Sequence, residues 1–100
     1  MTVLADPEGV SAAVLKEFTD FKDKRVFEIG CGNGRITWGY AEQTSHVTAI
    51  DPIAEDIQKA KSKIPDSLKA KLVFIESNIE DFNLLEDSGK FDISLFTWSL

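Results

Sequence analysis

Hydrophobic positions along this chain switch repeatedly between a helical period and short continuous runs. Val10, Val14, Phe18 and Phe21 recur at i, i+4, i+8 and i+11, which predicts an amphipathic helix over residues 7–21. Lys22–Lys24 form a charged turn, and the apolar run that follows predicts a first strand over Arg25–Ile29. A helix is expected from about Gly34 to Gln43, then a loop through Thr44 and Ser45 and a second strand over His46–Ile50. Ile53, Ile57, Ala60 and Ile64 share one helical face that Pro65-Asp66 closes. A third strand is predicted over Lys71–Glu76, a short irregular or helical stretch over Asn78–Lys90, and a fourth strand over Phe91–Thr97. Strands alternating with helices imply βαβ units: an α/β, Rossmann-like parallel sheet with right-handed crossovers and helices on both faces. The expectation is one small domain over residues 1–100, with an N-terminal helix over 1–22 and a βαβ core over 23–100. The last residue, Leu100, directly follows the fourth strand, so the sheet is expected to be incomplete at its C-terminus.

The junction after the first strand carries the most chemistry. Glu28-Ile29-Gly30-Cys31-Gly32-Asn33-Gly34 places glycines at alternate positions, which removes every Cβ from one side of a turn. A ligand can then lie against the backbone, with loop amides and a helix N-terminus expected to face it. A carboxylate at Glu28 repels a pyrophosphate and suits a ligand with positive charge. The dinucleotide fingerprint requires Gly or Ala where this chain has Arg35. The loop therefore reads as a nucleoside site, and a nicotinamide-dependent oxidoreductase is the weaker alternative. Glu28 within a Val, Phe and Ile strand needs a partner: a ligand, or an ion pair with Arg25 or Arg35.

In such a sheet, ligands bind beyond the carboxyl ends of the strands. The second strand delivers Asp51, 17 residues after Gly34. Its carboxylate suits the vicinal hydroxyls of a ribose, although Asp-Pro also suits a helix N-cap. Pro52 and Ile53 offer an apolar wall for a base. The third strand delivers Asn78, whose side chain suits the exocyclic amine of adenine, and the backbone of Ile79; Ser-Asn is equally a turn. The fourth delivers Phe96 and Thr97. Cys31 lies in the loop with no basic neighbour to activate it, so its side chain reads as a small filler. His46 has no partner for base or metal chemistry, Trp38 and Tyr40 read as packing, and no metal-ligand spacing is present.

Composition narrows the partners. The 100 residues carry a formal charge of −6, from 17 acidic and 11 basic side chains. That balance disfavours docking on nucleic acid, where basic patches dominate affinity. The lysines between Lys59 and Lys71 read as a solvated helix face. One cysteine and no signal-like or transmembrane-length apolar run point to a reducing, cytoplasmic compartment.

Together these residues resemble the first half of a class I S-adenosylmethionine-dependent methyltransferase. Val26–Gly34 is similar to that family's first motif, Asp51 to the acidic residue ending its second strand, Ser77–Phe82 to its third-strand loop, and Phe91-Asp92-Ile93 to the opening of its fourth strand. The family often has Asp where this chain has Asn78. The resemblance implies S-adenosylmethionine as cofactor, with Glu28 and Gly30 holding its methionine amino group and Gly32 and Gly34 lining its tail. It implies Asp51 on the ribose, Ile53 and Ile79 flanking the adenine, Asn78 on its amine, and backbone near Phe96 and Thr97 beside the methionine. It assigns no catalytic base. A small-molecule methyl acceptor is expected, with an inactive cofactor-binding or self-associating fragment as the alternative. The implied sheet order is 3-2-1-4, which leaves the fourth strand as a bare apolar edge through which the chain is expected to self-associate.

Overall fold

The computed structural model describes residues 2–4, 19–78 and 90–96. Its strands are β1 (Thr2–Leu4), β2 (Arg25–Ile29), β3 (His46–Asp51), β4 (Leu72–Glu76) and β5 (Ile93–Phe96). The helices are α1 (Thr37–Tyr40), continued by a 3₁₀ turn at Ala41–Gln43, and α2 (Ala54–Ser62), followed by a 3₁₀ turn at Asp66–Leu68. The strands form one sheet in the order β1-β5-β2-β3-β4, and every pairing is parallel. The four strands expected from the sequence thus take the order 3-2-1-4, the Rossmann-like arrangement.

The central strands β2 and β3 are buried almost throughout, as a parallel sheet covered on both faces requires. Pleating sends Val26, Val47, Ala49, Leu72, Phe74, Ile93 and Leu95 to one face, where they meet Ile36, Tyr40 and Ala41 of the α1 segment and Ile57 and Ala60 of α2. Phe27, Ile29 and Ile50 lie in a second cluster with Ile75, Phe91 and Phe96. Phe21 is fully buried and stacks on Tyr40, with ring centroids 4.5 Å apart. Edge strand β4 alternates buried and exposed residues and leaves Val73 open.

Three expectations change. The fourth strand is not a bare edge, because β1 pairs with it from Thr2↔Ser94 to Leu4↔Phe96. The edge on which self-association was expected is therefore covered, and β4 forms the other edge of the described sheet. The first 22 residues also do not form only a helix. They open with a strand, whose β-branched Thr-Val pair suits extended backbone. Most of the expected helix, residues 7–18, lies outside the described residues, as does the 79–89 stretch; Thr19–Phe21 are already irregular. Finally, the helix after the glycine loop begins at Thr37 and not at Gly34. Gly34 holds φ at +89°, which no right-handed helix accommodates, so regular helix starts only beyond it.

Candidate functional site

The register aligns the strand ends. Ile29 lies beside Ile50 on one side and Phe96 on the other, and Asp51 pairs with Glu76 one residue further. The strand order reverses between β2 and its neighbours β3 and β5, so the crevice beyond these ends is where this topology takes ligands. The glycine loop emerges there.

All three loop glycines have positive φ: +82° at Gly30, +56° at Gly32 and +89° at Gly34. Their surroundings differ. A Cβ at Gly34 would meet the Trp38 indole at 3.0 Å and the Phe74 ring at 3.2 Å, so this glycine serves packing. A Cβ at Gly32 would meet nothing within 4 Å, so its open side faces space that a ligand can fill.

The loop amides do not present themselves to a ligand as expected. The N–H groups of Gly30 and Cys31 both donate to the Ile50 carbonyl, at 2.9 and 3.1 Å, and that of Gly34 donates to the Cys31 carbonyl at 3.0 Å. The Gly32 N–H donates to Asp51 Oδ2 at 2.9 Å. Arg35 N–H donates to Asn33 Oδ1 at 3.3 Å. With these donors turned onto the end of β3 and onto the loop itself, the loop is no phosphate cradle. That agrees with a site for a ligand without a pyrophosphate.

Asp51 ties the site together. It is only 7% exposed; Oδ2 accepts from Gly32 and Oδ1 from the Ile53 N–H at 2.9 Å. The residue is therefore neither a bare ribose acceptor nor the helix cap. The cap position is Ile53, outside which Asp51 makes an Asx turn. Each carboxylate oxygen carries two lone pairs, so this anchoring leaves acceptor capacity for a hydroxyl. Beside it Ile53 is 54% exposed, an unusual position for a large apolar side chain and a ready wall for a flat base. Pro52 and Asn78 are exposed next to it, and the Ser77 N–H donates to the Asp51 carbonyl at 3.1 Å, holding the start of the Asn78 loop against β3. Phe96 is half-buried at the end of β5. Ile79 and Thr97 lie outside the described residues.

Glu28 takes a different place from the one expected. It is fully buried, and Oε1 accepts from Thr37 Oγ1 at 2.7 Å and from the Tyr40 hydroxyl at 2.5 Å. With no exposed surface, the carboxylate braces α1 against β2. The ion-pair alternative with Arg25 is not realised either, since Arg25 Nε faces Asp92 at 3.5 Å. That carboxyl is held below its usual range, chiefly by the hydrogen bond from the Arg25 backbone N–H. Sequence reasoning missed Thr37 and Tyr40. The signal was their i, i+3 spacing, which puts two hydroxyls on one helical face opposite a strand carboxylate.

Burial raises the Cys31 thiol far above its usual range, with the negative charges of Glu28 and then Asp51 adding to it. A thiol so held is inert, as a filler should be. The same charges mark the loop as a place where positive charge is favoured. Among the described residues no group of three His, Cys, Asp or Glu side chains is arranged to hold a metal.

Comparison with known proteins agrees with this geometry. Residues 20–98 match the methyltransferase domain family, and the chain belongs to it. The mitochondrial ubiquinone biosynthesis O-methyltransferase of Schizosaccharomyces pombe is 30% identical over 73 residues, covering 71% of this chain and 27% of that protein. Among solved structures, the YcgJ protein of Bacillus subtilis superposes with a TM-score of 0.72 at 20% identity, over 85% of this chain and 36% of that one. The magnesium protoporphyrin IX methyltransferase ChlM of Synechocystis, with bound S-adenosylmethionine, gives 0.65 at 20% identity, over 85% and 39%. The chain thus spans well under half the length of these relatives.

Proposed function

We propose that this chain forms the cofactor-binding part of an S-adenosylmethionine-dependent methyltransferase acting in the cytoplasm on a small-molecule acceptor. The observation that carries this reading is the open side of Gly32, at φ +56°, with the buried carboxylates of Glu28 and Asp51 nearby. It offers room for a ligand at bare backbone, a negative field that suits a sulfonium, and no free row of amides that would favour a diphosphate. Asp51 would accept from the ribose hydroxyls, Ile53 would cover one face of the adenine, and Asn78 would meet its amine. Gly32 would admit the methionine tail, beside Phe96. When bound, the cofactor supplies an activated methyl group on a sulfonium. The chain's own task is to orient that group and keep water out, since proximity and orientation supply much of the acceleration. The acidic charge of −6 favours a small acceptor over a nucleic acid.

Titration calorimetry of the chain with S-adenosylhomocysteine, using NADH as control, tests the reading. Micromolar binding of the first and none of the second is expected, with Asp51→Ala weakening it by about ten- to hundredfold. A folded chain that binds neither ligand, or binds both alike, overturns it.

A further inference from the structure

A cavity of about 450 Å³ lies between the α1 segment and the connection from α2 to β4. Trp38 and Glu42, from α1 and its 3₁₀ extension, line one side of it; Lys63, Pro65, Ser67 and Leu68, from the connection between α2 and β4, line the other. Its size is within the usual range for small-molecule sites. Trp38, Pro65 and Leu68 give it apolar walls, and the half-buried indole is set edge-on to the Phe74 ring at 5.4 Å and 68°. Charge selects the occupant further. The other lysines of this segment are mostly engaged: Lys59 with Glu55 at 3.3 Å, Lys69 with Asp66 at 2.8 Å, and Lys71 with the Glu42 and Thr44 carbonyls at 2.7 and 3.0 Å. Lys63 makes no ion pair among the described residues, and neither does the Glu42 carboxylate across the cavity.

We propose that this cavity is a second ligand site, taking a flat apolar molecule with a carboxylate at the Lys63 end and a hydroxyl donor for Glu42 at the other. The Trp38 indole that forms its wall also covers Gly34, where an added Cβ would meet the ring at 3.0 Å. This inference concerns the cavity alone and does not rest on the identity of the cofactor.

The test is a two-dimensional ¹H–¹⁵N NMR titration of the full chain with 6-hydroxy-2-naphthoate. Saturable shifts are expected at the Trp38 indole N–H, Ser67 and Leu68. Lys63→Gln, a change on an exposed side chain, should weaken binding by about fivefold, the worth of one exposed charge pair. It should leave the affinity for 2-naphthol, which lacks the carboxylate, unchanged. No saturable shift up to the solubility of the probe, shifts centred on Ile53 and Asn78, or equal naphthoate affinity in the Lys63 variant would each overturn the proposal.

Discussion

Gly32 and Gly34, with open space beside one and packed rings beside the other, separate binding from stability. Gly34→Ala forces a methyl into Trp38 and Phe74 at a backbone φ of +89°, so overpacking and left-handed strain add to a loss of about 2–4 kcal/mol. Gly32→Ala meets only the strain, roughly 1 kcal/mol, but its methyl occupies the open side of the loop. Denaturant midpoints should therefore fall much further for Gly34→Ala, while S-adenosylhomocysteine affinity falls at least as far for Gly32→Ala. Equal losses in both assays would mean the open side of Gly32 is not where the ligand lies. A second residue-scale prediction concerns Tyr40. Its phenol is pushed well above its ordinary value, first by burial and then by the charge of Glu28. A folded-state pKa raised above the unfolded one contributes stability fully below about pH 10, and that contribution is lost as pH rises toward the folded value. Stability should thus decline above about pH 10 in urea melts, and Tyr40→Phe should flatten part of that decline while costing about 1.5–3 kcal/mol at neutral pH for the lost bond to a carboxylate. An unchanged alkaline slope in Tyr40→Phe would remove Tyr40 as its source.

At the scale of elements, the sequence made the sheet legible because burial on both faces writes a continuous apolar run, and Val26, Phe27 and Ile29 or Val47, Ala49 and Ile50 need no partner to be recognised. What pairs with what is written less locally. Thr2–Leu4 is too short to show a period, and its place beside β5 depends on the edge that β5 offers, which no residue near Thr2 encodes. The helix after the loop starts later than the sequence suggests because Gly34 holds a positive φ, a backbone choice that glycine permits without its letter showing which hand it takes. The site followed the same division. Asp51 and Ile53 were readable from their positions after a strand, whereas the inward turn of the loop amides needed the Ile50 carbonyl to be seen in place. The β1 pairing yields its own test. Removing residues 1–4 exposes the Ile93–Phe96 edge, so the shortened chain should associate increasingly with concentration in light scattering, more strongly than the full chain. Equal masses at all concentrations would show that β1 does not protect that edge.

For the molecule as a whole, charge is the property that links sequence to ligand choice. An excess of six negative charges in 100 residues sets a background potential, and the loop concentrates it: Glu28 and Asp51 are both buried, where solvent and salt screen them poorly, and Asp56 adds to the field felt at Cys31. S-adenosylmethionine and S-adenosylhomocysteine share the nucleoside and the amino-acid tail and differ by a methyl group and one positive charge. Contacts to the shared parts therefore cancel in the ratio of their affinities, and that ratio reports the field at the sulfur. Two contributions to it respond differently to salt. The diffuse surface charge is screened once the Debye length shrinks from about 30 Å at 0.01 M to about 3 Å at 1 M, whereas nearby buried carboxylates keep most of their effect. The expected outcome in parallel calorimetric titrations is that both ligands bind, that their affinity ratio moves toward the thioether by less than about fivefold over this salt range, and that Asp51→Asn moves it further in the same direction at either salt. A ratio that collapses with salt alone and ignores Asp51→Asn would assign the preference for positive charge to the surface as a whole, and the loop would then be a nucleoside cradle without an electrostatic role.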